Sequence, residues 1–448
     1  MEQRGATSEG MGFSRRDFVR TAAASAVIPL AAGAMGAGVS QATAAVARGA
    51  NVAGKEEVRI GVIGCGGRGT GAAGNALEAW PQARIVALAD VFAERVESAK
   101  SGLAGNEDAS MAARGKVADG MCFTGWDAYQ KLLASKEVDS VILATPPHFR
   151  PIHFAAAIAA GKHVFMEKPV AVDPTGIRKV LAAAEEATKR KLCVVAGTQR
   201  RHEPCYRAAM KKMAEGAIGQ VVAARCFWNM GSLWMNPRQP NWSDMEWQLR
   251  NWLYFTWLSG DHIVEQHVHN IDVVNWAFGA HPTRAIAVGG RQVRTDAAYG
   301  HIFDHFGVSF EYPDGRFALS MCRQTDGTDG RVAEYIHGTN GVMSLSSGSA
   351  ECAGKNAWRF SEDNGNPYVI EHVDLYSAMT GKAEYINEGR QVAESTLSAI
   401  MARMSAYTGK DVTWEQALNS KLDLSPPKYE FGSLPTPPVP TPGKTPLE

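Results

Sequence analysis

The chain has 448 residues, 45% apolar and 21% charged, the composition of an ordinary globular protein long enough for two sizeable cores. Its 46 Lys plus Arg equal its 46 Asp plus Glu, so no net field draws a nucleic acid or other polyanion, and a small neutral ligand fits better. Seven cysteines, at 65, 122, 193, 205, 226, 322 and 352, include no C-x-x-C pair; an odd count cannot be fully paired within one chain, and no disulfide framework is expected.

Residues 1–50 read as an export signal and linker. Ser14-Arg15-Arg16-Asp17-Phe18-Val19-Arg20 precedes a mildly apolar stretch from Thr21 to Val39, and Ala42-Thr43-Ala44 offers a small-residue cleavage site. The pattern resembles a twin-arginine signal, which implies export through the twin-arginine machinery as a folded protein and a periplasmic or exported location. The stretch is too glycine-rich and too weakly apolar to be read with confidence as a spanning helix.

From Val58 to about Gln199 strands and helices alternate. Strands read at 58–63, 84–89, 138–144, 163–166 and 192–197, and helices at 70–79, 93–101, 126–134, 151–160 and 174–190. This is the pattern of a parallel, doubly wound α/β sheet of the Rossmann type, set at 56–200. The first strand runs into Gly64-Cys65-Gly66-Gly67-Arg68-Gly69. In such a turn Gly64 allows the sharp bend, Gly66 admits a pyrophosphate to the backbone, and Gly69 lets helix and strand pack closely. The second strand ends in Asp90, where a carboxylate accepts hydrogen bonds from an adenosine ribose and repels a 2′-phosphate. No arginine immediately follows it, so NAD is favoured over NADP. Thr145, Pro146 and His148, after the third long strand, fall at the carboxyl edge where such folds bind ligands.

A helix from about Pro204 to Glu215 leads into a second rhythm. Val221–Phe227, Thr283–Val288, Phe306–Tyr312 and Phe317–Cys322 read as strands of a large, mostly antiparallel open sheet in an α+β domain spanning 201–434. Residues 435–448 form a proline-rich tail. Between the first of these strands and a histidine-rich helix lie Trp228, Trp234, Trp242, Trp247, Trp252 and Trp257. As a group they suit stacking on pyranose C–H faces, and Trp234 and Trp257 are taken as substrate residues.

Glu167-Lys168-Pro169 and Asp261–Asp272 complete a pattern with Gly64-x-Gly66-x-x-Gly69 and Asp90 that resembles the glucose–fructose oxidoreductase, inositol dehydrogenase and rhizopine-catabolism family, across essentially the whole chain after the signal. The resemblance implies an NAD(P)-dependent oxidoreductase that oxidises a secondary alcohol of a sugar or glycoside by hydride transfer to tightly bound NAD, and a homo-oligomer. In that family an aspartate stands four residues before a histidine that acts as acid and base on the substrate hydroxyl. Carried over, His269 is that histidine, and Glu265 stands in the aspartate position with a longer arm.

The residues agree with that assignment. On one helix Glu265 and His269 share a face, so the carboxylate would orient the imidazole and raise its basicity. Lys168 would hydrogen-bond the same reacting oxygen. Gly67, Arg68, Glu167 and Arg200 are further cofactor residues, and Asp272, His305 and Arg323 further substrate residues. Glu265, His267 and His269 with Asp304 or His305 are metal-ligand types, but His267 and His269 diverge on a helix, so no metal is assigned. Two alternatives stay open: an NAD-dependent glycosidase working by transient oxidation and elimination, and a nucleotide-bound sensor or scaffold without catalysis.

Overall fold

The computed structural model describes residues 57–448, and the twin-arginine segment lies outside the described residues. Strands β1 (Val58–Ile63), β2 (Ala83–Asp90), β3 (Cys122–Thr124), β4 (Ser140–Leu143), β5 (His163–Met166) and β6 (Val194–Ala196) form one parallel sheet in the order β3-β2-β1-β4-β5-β6. Apart from the half-buried edge strand β3, they are rich in Val, Ile, Leu and Ala and mostly buried, as expected for strands covered by crossover helices on both faces. The order reverses between β1 and β4, so the carboxyl ends of β2, β1 and β4 stand side by side around one crevice. The short β3 and the helix Ala109–Arg114 escape the sequence reading because neither is long enough to show a period.

The second sheet has nine strands: β7 (Val221–Met230), β8 (Arg284–Gly290), β9 (His305–Glu311), β10 (Phe317–Gln324), β11 (Arg331–Gly338), β12 (Gly341–Ser346), β13 (Ser349–Gly354), β14 (Trp358–Arg359) and β15 (Val412–Thr413). Their order is β14-β13-β12-β11-β7-β10-β9-β8-β15, antiparallel except for β7 beside β10. Strands β11 to β15 were not anticipated: β14 and β15 have two residues each, and β11 to β13 mix charged, polar and apolar residues without a clean alternation. One face packs on the helices Val268–Phe278 and Gly389–Thr408. The opposite face is open, and along β8 and β10 exposed Ile286, Val288, Phe317, Leu319 and Met321 alternate with buried inward residues such as Ala285 and Ala318.

Late segments return to the first sheet. The helix Pro367–Thr380 packs against the helix Gly67–Ala79, and Val194 N–H of β6 donates to the Ile386 carbonyl at 3.0 Å. Beyond Ser420, the chain runs back across the parallel sheet's carboxyl edge: Leu424 N–H donates to Asp173 Oδ2 at 2.9 Å, and Gln248 Nε2 donates to the Leu434 carbonyl at 2.6 Å.

Candidate active site

The glycine-rich turn closes β1 as its residue types require. Gly64 has φ +98°, a conformation that L side chains rarely adopt, and a Cβ at Gly69 would collide with the Gly64 carbonyl oxygen. Around Gly67 there is open space. The turn borders a groove of about 1370 Å³ that also takes in Asp90, Thr145 and Pro146, enough volume for a dinucleotide. Cys65 N–H donates to Asp90 Oδ2 at 2.7 Å and Phe92 N–H to Oδ1 at 3.0 Å, so the carboxylate is fixed at the end of β2. Burial pushes the Asp90 carboxyl up, against those two bonds. The turn, the helix N-terminus behind it and this acid fit an NAD-type cofactor: Gly66 and Gly67 would meet its phosphates and Asp90 its ribose.

Several groove residues had no sequence signal. Arg95, one helical turn beyond Asp90, enters the same groove, and its Nη1 stands 2.9 Å from where a Gly66 Cβ would lie. Trp126, Asn236, Arg250, Trp252 and Tyr429 also line it. Of the six tryptophans from Trp228 to Trp257, Trp234 and Trp252 line the groove, where they meet edge to face at 6.2 Å. Trp257 is a correction to the substrate assignment. It is buried, its indole N–H donates to Gln248 Oε1 at 2.7 Å, and its ring packs against His148. His148 itself pairs Nε2 with the Tyr429 hydroxyl at 2.8 Å, and burial lowers its pKa to about 4.

Lys168 and Glu265 meet, a contact the sequence did not suggest, and His269 stands close enough to feel the lysine charge. Lys168 Nζ donates to the Glu265 carbonyl at 2.8 Å and to Glu265 Oε1 at 3.2 Å. An ammonium has three donors, so one remains for a substrate oxygen. The expected Glu265–His269 contact is corrected. The helix over 261–272 is broken into His262–Glu265 and Val268–Phe278, so residues 265 and 269 do not sit on one continuous turn. Glu265 is taken up by Lys168, and buried His269 Nδ1 has no hydrogen-bond partner. Burial, then Lys168, Arg200 and Arg68, hold the His269 pKa well below the usual histidine range. The ring is therefore held neutral, and no carboxylate makes it more basic.

A buried polar network supports that ring. Trp228 stacks on His269 with centroids 5.6 Å apart and planes 19° apart, and Arg200 lies over Trp228 at 5.5 Å. Arg200, assigned to the cofactor, is instead bound to fully buried Glu334, which also accepts from Asn270 Nδ2 at 2.6 Å and Tyr206 hydroxyl at 2.9 Å. Glu334 falls on the unanticipated β11. Glu167 similarly holds Arg68, whose other partner is buried Glu371 at 3.3 Å. His267 is fixed by Ser320 Oγ at 2.6 Å and Asn270 Oδ1 at 3.3 Å, as a core histidine.

Three further substrate assignments are overturned. Asp272 is 1% exposed and accepts from Arg201 at 2.8 and 3.0 Å, Ser395 Oγ at 2.7 Å and Gln391 Nε2 at 3.2 Å, which accounts for its four acceptor sites in a buried ion pair. Arg323 and His305 face each other across β10 and β9 on the open side of the sheet, opposite the face carrying Ser320 and His267. Strand alternation decides this, because moving by one residue reverses the face.

Two family descriptions match: "Oxidoreductase family, NAD-binding Rossmann fold" over residues 58–196 and "GFO/IDH/MocA C-terminal domain" over 206–344. Together they take in more than half of the sequence, and the chain belongs to the GFO/IDH/MocA oxidoreductase family. It is 26% identical to 1,5-anhydro-D-fructose reductase of Ensifer adhaerens over 64% of this chain and 84% of that one. It is 30% identical to inositol 2-dehydrogenase of Acidothermus cellulolyticus, over 52% of this chain and only 58% of that one. Its fold matches levoglucosan dehydrogenase in complex with NADH and levoglucosan, with TM-score 0.63 and 16% identity over 80% of this chain and 99% of that one.

Proposed function

We propose that this oxidoreductase oxidises a secondary hydroxyl of a sugar or glycoside, with NAD held in the groove beside Asp90. The observation that carries the reading is the placing of Lys168, with one ammonium donor unused, near buried His269, whose Nδ1 is unpartnered. Bound NAD would supply the hydride acceptor. Neutral His269 takes the hydroxyl proton, and Lys168 favours the negative charge that develops on the same oxygen. Relatives named for anhydrofructose and inositol support a carbohydrate or polyol substrate. Purified protein incubated with a panel of glycosides and followed by mass spectrometry tests the reading: a product lighter by two hydrogens supports it. Release of the aglycone points instead to the glycosidase alternative.

Asp90 sets the preference for NAD in this proposal. Asp90→Ser is expected to weaken NAD and relax discrimination against NADP, the more so because Arg95 already lines the groove. Titration of both cofactors by protein fluorescence checks this, and an unchanged ratio removes Asp90 from the ribose role. The proposal also places the protein in the periplasm after twin-arginine export. Arg15→Lys with Arg16→Lys should leave precursor in the cytoplasm, whereas normal export on cell fractionation refutes that route.

The open sheet face supports self-association through a second copy of the chain. Val288 is 74% exposed there, and Leu319 and Met321 are exposed on the same face one strand beyond β9, an apolar grouping of the kind that marks an interaction surface. Leu319→Lys with Met321→Lys should convert an oligomer to monomers in sedimentation velocity; a parent that sediments as a monomer ends the idea.

A further inference from the structure

The nucleotide groove has a second wall that does not come from the parallel sheet. Two separate segments build it. One is the helix Asp244–Arg250 with its flanks, which brings Arg250 and Trp252 to the groove. Arg250 Nη1 pairs with Glu94 at 2.7 Å, and its guanidinium lies 3.9 Å from the centroid of Phe92, two residues beyond Asp90. The other is the strap 423–434. It is tied at one end by Leu424 to Asp173 and at the other by Leu434 N–H to Asp244 Oδ2 at 3.1 Å.

Between those ties the strap carries two aromatics into a cluster at the sheet's carboxyl edge. Phe431 stacks on Phe92 at 5.8 Å and meets Trp126 at 5.4 Å, while Tyr429 meets Phe149 at 5.9 Å and pairs with His148. Phe92 follows β2, Trp126 follows β3 and Phe149 follows β4. The pair thus spans the ends of the strands that flank β1 and its glycine turn. Tyr429 remains 37% exposed and Phe431 46%, so neither is placed there to fill a core.

We infer that Tyr429 and Arg250, which line the groove, with Phe431 bracing the strap against Phe92 and Trp126, form a clasp over the dinucleotide site that retains the cofactor. The inference rests on the NAD reading above and adds the residues responsible for retention. A groove walled by the parallel sheet alone would release its ligand by unbinding from one surface. With the clasp in place, release would also need the strap or the Arg250–Glu94 contact to part, which slows dissociation more than association.

The test uses the full chain. Nucleotide released on denaturation is quantified by mass spectrometry, and exchange of bound NAD against isotopically labelled NAD is timed in the parent, Tyr429→Ala/Phe431→Ala and Arg250→Ala. The parent should keep NAD through dialysis, and each variant should exchange at least about tenfold faster, the effect of losing an aromatic contact or a charged one. Circular dichroism melting of the nucleotide-free proteins separates loss of the clasp from loss of the fold, and Tyr429→Phe, which keeps the ring, should exchange within a few-fold of the parent. Equal exchange in parent and both folded variants overturns the clasp while leaving NAD binding intact. A parent that neither contains nor takes up labelled NAD overturns the underlying cofactor reading instead.

Discussion

His269→Ala is expected to lower turnover by roughly 10²–10⁴, the usual contribution of a positioned acid or base, while NAD stays bound. The ring is buried against Trp228 and near Lys168, and its removal takes away the proton acceptor without touching the groove. Lys168→Ala should also slow turnover, and the double variant should be little worse than the worse single one, because both groups act on one oxygen. The depressed His269 pKa adds a pH test. A group whose folded pKa lies well below 6.5 is already neutral at pH 6.5, so the acid limb of kcat/KM should fall below the usual histidine range. Steady-state kinetics across pH checks both points; full activity in His269→Ala would move the base elsewhere.

Glu334→Ala is expected to cost about 3–5 kcal/mol of stability, because it strands a buried guanidinium. Arg200 is 4% exposed with Glu334 as its ion partner, and Tyr206 and Asn270 would lose their acceptor in the same step. Asn270 adjoins His269 in the chain and Arg200 lies over Trp228, so turnover should fall as well. Urea unfolding of the parent and the variant measures the loss; a change under about 1 kcal/mol would show that the network relaxes or hydrates.

The parallel sheet was legible because each of its long strands is a continuous apolar run followed by a helix, and the glycine turn and Asp90 fall where that geometry puts them. Lys168 was legible through its motif. The helix carrying His269 was legible, but helical spacing assumed it to be continuous back to Glu265, and the break at Gln266–His267 gave Glu265 to Lys168. Asp272, Arg323 and His305 were placed by nearness in sequence, which carries no information on sheet face or on buried ion partners. Tyr429 and Phe431 lie far along the chain in a polar, proline-rich stretch. Only the folded chain brings them to Phe92 and Trp126.

Hydride transfer from a carbohydrate carbinol is the central claim, and a single-turnover isotope experiment reaches it most directly. A glycoside deuterated at the reacting carbon is mixed with the NAD-loaded protein, absorbance of reduced nicotinamide is followed, and the extracted nucleotide is weighed by mass spectrometry. The account predicts a rise in absorbance, one deuterium in the nicotinamide, and both lost in His269→Ala. Unlabelled, oxidised NAD after contact with sugars that the protein demonstrably binds would contradict it.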